Sequence, residues 1–134
     1  IFFADDYFGY DDATYVAARL VQLLSKTDKK LSELTSEIPV YYSTPELRME
    51  AENDREKFRI TEEAVKYFSS KYDCITIDGV RIKFKDGWGL VRASNTQPVI
   101  VCRFEANSTE KKDEIQNLIL TKLQEFGQLK LEEY

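Results

Sequence analysis

Histidine is absent from the 134 residues of this chain. That removes Ser-His and Cys-His catalysis and most zinc sites together, because each relies on an imidazole as base or ligand. Any general acid or base has to be Asp, Glu, Lys, Tyr or Cys. Cysteine is scarce as well: Cys74 and Cys102 stand far apart, with no second pair to complete a metal site, so buried free thiols are favoured over a disulfide. No apolar run is long enough to span a bilayer, and the amino end lacks a basic segment followed by an apolar one and a cleavage site, so no membrane partner and a cytoplasmic location are expected. Positive charge is in deficit, with a net charge of -5. Such a balance argues against a surface built to neutralise nucleic-acid backbone, and no nucleic-acid partner is expected, although an acidic protein can hold a local basic pocket. No cluster pairs a nucleophile with an activating base, so no catalytic and no metal-ligating residue is assigned within the chain.

What is present suffices for one domain, or one domain plus part of another, with 43% hydrophobic residues to bury a core. The opening IFFADDYFGYDD begins as an apolar, strand-like run broken by paired acids. Asp5-Asp6 and Asp11-Asp12 do not converge as a metal site would require, because neighbours on a strand face opposite ways; capping and a solvated loop are the favoured readings. Asp11 or Asp12 caps a helix with Ala13, Val16, Ala17, Leu20, Leu23 and Leu24 on its buried face, ending near Ser25. A polar stretch with room for a short helix then stops at Pro39, and a boundary is drawn at 36–40.

Beyond the boundary, Leu47, Met49 and Ala51 alternate with charged residues as a half-wet strand does. A helix from an Asp54 cap to about Lys71 is expected to bury Phe58, Thr61, Val65 and Phe68. Short strands follow at 75–77, 80–84 and 88–92, joined by Asp78-Gly79 and Asp86-Gly87 turns. A last strand at 98–104 leads, through an Asn107/Glu110 capping box, into a helix with Ile115, Leu118, Ile119, Leu123 and Phe126 inside and a stop at Gly127. The whole describes an α+β module with two helices on one face of a mostly antiparallel sheet. Residues 1 to about 35 are too few for a core of their own.

One connection is richer than a turn needs. GWGLVRASNTQP places Arg92, Ser94, Asn95 and Thr96 within five positions, combining a planar charged fork, two hydroxyls and a residue tolerant of backbone bends. The bland reading is a hairpin loop chosen for turn propensity. Gly87 and Gly89, which permit close approach, and Arg103 on the next strand, which can stand beside Arg92 in a suitable register, raise the alternative of an anion cradle.

These motifs resemble the carboxy-terminal part of the α-D-phosphohexomutase superfamily, in its bacterial phosphomannomutase/phosphoglucomutase branch. FFADDYFGYDDATYVAARL, STPELR at 43–48, DGVRIKF at 78–84 and GWGLVRASNTQPVIVCRFEA at 87–106 carry the resemblance. It implies that residues 1–37 end a third, α/β domain with a strand and a helix. Residues 38–134 would form the fourth, phosphate-binding domain, of the TATA-box-binding-protein-like kind, with Pro39 at the hinge. It implies phosphate contacts from Arg92, Ser94, Asn95 and Thr96, with Arg103 as an addition.

The family interconverts hexose 1-phosphates and 6-phosphates through a bisphosphorylated sugar. A phosphoserine of the first domain and Mg2+ held by aspartates of the second supply the transfer. The serine motif, the aspartate-rich loop and the Gly-Glu-Met-Ser-Gly-His sugar loop of the third domain are absent from these residues. The expected partners are therefore a mannose or glucose phosphate and domains 1–3 of one polypeptide, and the chain alone is expected to be inactive. Asn95 and the following Gln-Pro favour the mannose/glucose branch over the rival phosphoglucosamine mutases. A non-catalytic phosphate-binding module is the rival from another class.

Overall fold

The computed structural model describes residues 1–132, whose contacts separate after Pro39 into two units, Ile1–Pro39 and Val40–Tyr134. In the first unit Asp12 caps helix α1 (Ala13–Ser25), its carboxylate accepting from the Tyr15 N–H at 3.0 Å. The same carboxylate accepts the Tyr7 hydroxyl at 2.6 Å. That bond first, and the Tyr15 amide second, hold the Asp12 carboxyl below its ordinary range, and the Tyr7 phenol is pushed up in return. Tyr7 stacks on Tyr15 at 3.9 Å, with Phe3 edge-on to Tyr15 at 5.2 Å, so these rings pack on one another. A short helix, α2 (Leu31–Thr35), follows.

The strand expected at the amino end does not form: residues 1–12 hold turns and bends, and no strand occurs among the described residues of this unit. An extended run needs a partner edge to satisfy its backbone groups, and the unit provides none. No side chain of residues 1–39 is fully buried, and Leu20 and Leu23 on the apolar stripe of α1 stay exposed.

The second unit contains β1 (Tyr42–Ser43), β2 (Leu47–Ala51), α3 (Asp54–Ser69), β3 (Cys74–Ile75), β4 (Val80–Lys83), β5 (Gly87–Ala93), β6 (Val99–Ala106), α4 (Thr109–Phe126) and β7 (Leu129–Leu131). All strand pairs are antiparallel. The order is β3-β4-β5-β6-β2-β7, with β1 also on β6. The fold is α+β, as expected from the pattern. From Ser43↔Glu105 to Leu47↔Cys102 the β1–β2 chain advances four residues against three on β6. Pro45, which has no N–H, lies at this slip. Thr44 fastens it, donating its N–H to the Phe104 carbonyl at 2.9 Å and accepting the Phe104 N–H on Oγ1 at 3.1 Å.

One sheet face packs on both helices. Val80, Ile82, Val91, Ile100, Cys102 and Phe104 meet Ile60, Ala64, Phe68, Ile115, Ile119 and Leu123 in a single buried cluster, the main source of stability for a domain of this size. Cys74 and Cys102 are free thiols, and desolvation pushes Cys102 up to about 12. Arg59 joins the helices by donating to the Phe126 carbonyl at the end of α4, at 2.7 Å.

Several local expectations need correction. The cap of α3 is Asn53, not Asp54, and that of α4 is Ser108, not Asn107. The face of α3 is rotated from the one inferred: Lys57, Ile60, Thr61, Ala64 and Phe68 are buried while Phe58 is 48% exposed. Leu118 of α4 also faces outward. Strand β3 ends at Ile75, and Gly87 opens a strand instead of turning a corner. Strands β1 and β7 were not foreseen; both are short, and their partners β6 and β2 are distant in sequence.

Candidate functional site

The β5–β6 hairpin carries the candidate loop. Its closing pair is Ala93↔Ile100, after which Ser94 donates its N–H to the Val99 carbonyl at 3.0 Å. The Ser94 Oγ accepts the Thr96 N–H at 3.3 Å, a local bond that bends the backbone. Asn95, Thr96 and Gln97 are exposed and Ser94 is half-buried.

Register places Arg92 opposite Val101 and Leu90 opposite Arg103. The two arginines thus share the sheet face turned away from the helices, as diagonal neighbours with backbones about 7–8 Å apart. Both are exposed. Arg92 stands 3.4 Å from Asp78, a long contact between exposed groups that holds the guanidinium only weakly. Asp78 reaches it from the tight turn at Gly79, whose φ is +72°. Arg81 and Lys83 share this face, with Arg81 4.1 Å from the Trp88 ring centroid. Arg81, Lys83, Arg92 and Arg103 thus gather on this face, with Asp73 paired to Lys83, Asp78 to Arg92 and Glu105 bonded to the Trp88 indole.

The glycines thought to clear a path to the ligand do something else. A Cβ on Gly89 would meet Ile119 Cδ1 at 2.3 Å, and one on Gly87 the Glu105 carbonyl at 2.2 Å. Gly89 lets α4 seat against the sheet, and Gly87 lies at the end of the hairpin remote from the loop.

What holds the loop from beneath was missed in the sequence. Lys57 is 1% exposed, and its Nζ donates to the Ser94 carbonyl at 2.7 Å, the Gln97 carbonyl at 2.9 Å and Asp54 Oδ1 at 2.7 Å. Those acceptors match the three donors of an ammonium group, which makes its burial tolerable. Arg48 adds a second tie, donating from one guanidinium nitrogen to Gln97 Oε1 and from Nε to Glu132 at 2.8 Å. Ala51 donates its N–H to the Pro98 carbonyl at 2.9 Å. A signal for Lys57 was available: it precedes Ile60, Thr61 and Ala64 at the three-, four- and seven-residue spacing of one helix face.

A sheet backed by paired helices, ending in a braced hairpin loop rich in hydrogen-bond donors beside exposed arginines, defines the α+β domain and its candidate site. Comparison with known proteins carries this further. The chain belongs to the phosphoglucomutase/phosphomannomutase family, whose C-terminal domain model matches residues 43–122. It is 42% identical over 119 residues to a phosphoglucomutase of Neisseria gonorrhoeae, covering 87% of this chain and 26% of the relative. It is 41% identical over 124 residues to a phosphomannomutase/phosphoglucomutase of Pseudomonas putida, covering 92% and 27%. A crystal structure of a phosphoglucomutase/phosphomannomutase family protein from Burkholderia thailandensis superposes with a TM-score of 0.78 at 33% identity, over 96% of this chain and 27% of that one. The chain thus spans about a quarter of the length of these relatives.

Proposed function

We propose that residues 38–134 are the phosphate-clamping fourth domain of a mutase that interconverts mannose or glucose 1-phosphate and 6-phosphate through a bisphosphorylated sugar. Residues 1–37 are the end of the preceding α/β domain. Arg92, Ser94, Asn95 and Thr96 hold the phosphate that is not reacting, and Arg103 supplies a second guanidinium on the same face. Binding energy from that remote phosphate is available to orient the sugar and close the cleft around the reacting one. The relatives named as phosphoglucomutases and phosphomannomutases support this branch over the glucosamine one. In this reading the phosphoserine and the magnesium-binding aspartates belong to other domains. Among the described residues no group of three or more Cys, Asp or Glu side chains converges as a metal site would require.

The supporting observation is the braced loop itself. Its inner carbonyls are occupied by Lys57, while the N–H groups of Asn95 and Gln97 find no hydrogen-bond partner among the described residues. The test is an amide-NMR titration of this chain with glucose 1-phosphate in phosphate-free buffer. Shifts are expected at residues 92–96, with an affinity of about 1 mM, near -4 kcal/mol. Arg92→Ala should weaken binding by about 1.5–3 kcal/mol through loss of charge-assisted hydrogen bonds. An Arg92→Ala affinity equal to wild type would remove Arg92 from the clamp.

Pro39 serves as the hinge in this reading, a role supported by the separation of the two units directly after it. In a full-length mutase carrying this segment, Pro39→Gly is expected to change kcat and KM together, because closure completes the site. Steady-state kinetics indistinguishable from wild type would place the hinge elsewhere.

A further inference from the structure

Lys57 touches no position expected of the phosphate, yet its geometry determines what the loop can present. We propose that Lys57 is a positioning residue for anion binding: it aims the Asn95 N–H outward and adds a fixed positive charge behind it. The inference rests on the phosphate reading above.

The aiming follows from peptide geometry. In a trans peptide the C=O and the following N–H point in opposite directions. The Ser94 carbonyl is held inward on the Lys57 ammonium at 2.7 Å. The other half of that peptide, the Asn95 N–H, therefore faces away from the core, on an exposed residue and without a partner among the described residues. At the far end, the Gln97 carbonyl bonded to the same ammonium belongs to the peptide before Pro98, which has no N–H to present. One buried cation thus pins both ends of the turn by their carbonyls, while the Thr96 N–H bonds the Ser94 Oγ and the Asn95 N–H is left outside.

The charge has its own effect. Packing alone would be served by a methionine or leucine at this position of α3, since a buried ammonium adds desolvation cost that apolar packing avoids. Outside its own helix, the acceptors of the ammonium are the two loop carbonyls. A phosphate on the Asn95 N–H would lie about 8 Å from Nζ, near enough for attraction through a poorly screened interior. Asp54, 71% exposed, offsets part of that charge.

Two substitutions separate aiming from charge. In this chain, Lys57→Met should leave remote amide shifts intact but lower the 15N order parameters of residues 94–97 without ligand, and weaken inorganic phosphate binding about tenfold. Asp54→Asn keeps both carbonyl bonds, so loop order should stay at the wild-type level while phosphate binds about twofold tighter. A folded Lys57→Met with unchanged loop order and phosphate affinity would overturn the proposal. If that variant does not fold, Lys57→Gln takes its place, and an Asp54→Asn affinity equal to or weaker than wild type overturns the electrostatic half by itself. Absence of any phosphate-induced shift in the wild type would instead defeat the phosphate reading, and this inference with it.

Discussion

Phe104→Ala is expected to remove about 3–5 kcal/mol of stability from the sheet-and-helix unit, the cost of deleting a buried aromatic ring and leaving a cavity the neighbours only partly fill. Phe104 of β6 is fully buried. It lies opposite Gly89, where an added Cβ would come within 3.1 Å of its ring. The ring edge and Ile119 Cδ1 of α4 therefore share the space that Gly89 leaves. Collapse into the gap would require α4 to move toward the sheet, and Gly89 has no side chain to follow. Domains of this size are stable by about 5–15 kcal/mol in total, so the loss is a large part of the whole. Urea denaturation followed by tryptophan fluorescence measures it directly, because Trp88 is the one tryptophan of the chain and lies on the adjoining strand β5. A loss under about 1 kcal/mol would mean that the packing of β5, β6 and α4 differs from that described.

Gly79→Ala should be nearly as severe, at about 2–4 kcal/mol, and it also reaches the site. Two faults coincide. The φ of +72° is one that L side chains adopt at a cost of about 1–2 kcal/mol. The new Cβ would also lie 2.2 Å from the Val91 carbonyl and 2.9 Å from the Arg92 Cα. Relief requires the Asp78–Gly79 turn to move away from β5 at the residue that bears the proposed phosphate-binding guanidinium. A lower urea midpoint is expected together with weaker phosphate binding and altered amide shifts at residues 91–93. A stability loss of no more than about 1–2 kcal/mol, the cost of the backbone conformation alone, would show that the turn does not press on β5.

Much of the fold was legible because its helices and inner strands repeat their apolar residues at the period of the element that buries them. Helix α1 begins and ends where its cap and stripe indicate, and the alternation at 47–51 and 80–83 marks the strands that form. The rotated face of α3 was harder to read because the sequence offers two overlapping stripes. Phe58 advertises hydrophobicity and Lys57 does not, yet the lysine is inside. Hydropathy describes a residue by its solvation alone. It cannot register that a long aliphatic stem will reach two carbonyls 37 and 40 residues away. Strands β1 and β7 escaped for a related reason: two or three residues have no period to detect, and their existence depends on the unpaired edges of β6 and β2. The strand expected at the amino end shows the converse, a suitable sequence with no edge to pair with in its unit.

By itself the sequence determined the α+β class, the identity of the donors in the 92–96 connection, and the absence of any imidazole, since these depend on residue type and local spacing. Only the tertiary structure decided that Arg92 and Arg103 share one sheet face, that Gly89 serves helix packing, and that a buried lysine sits beneath the loop. Each of these is set by strand register and helix rotation, which depend on contacts between residues far apart in the chain and on how completely each buried polar group finds a partner.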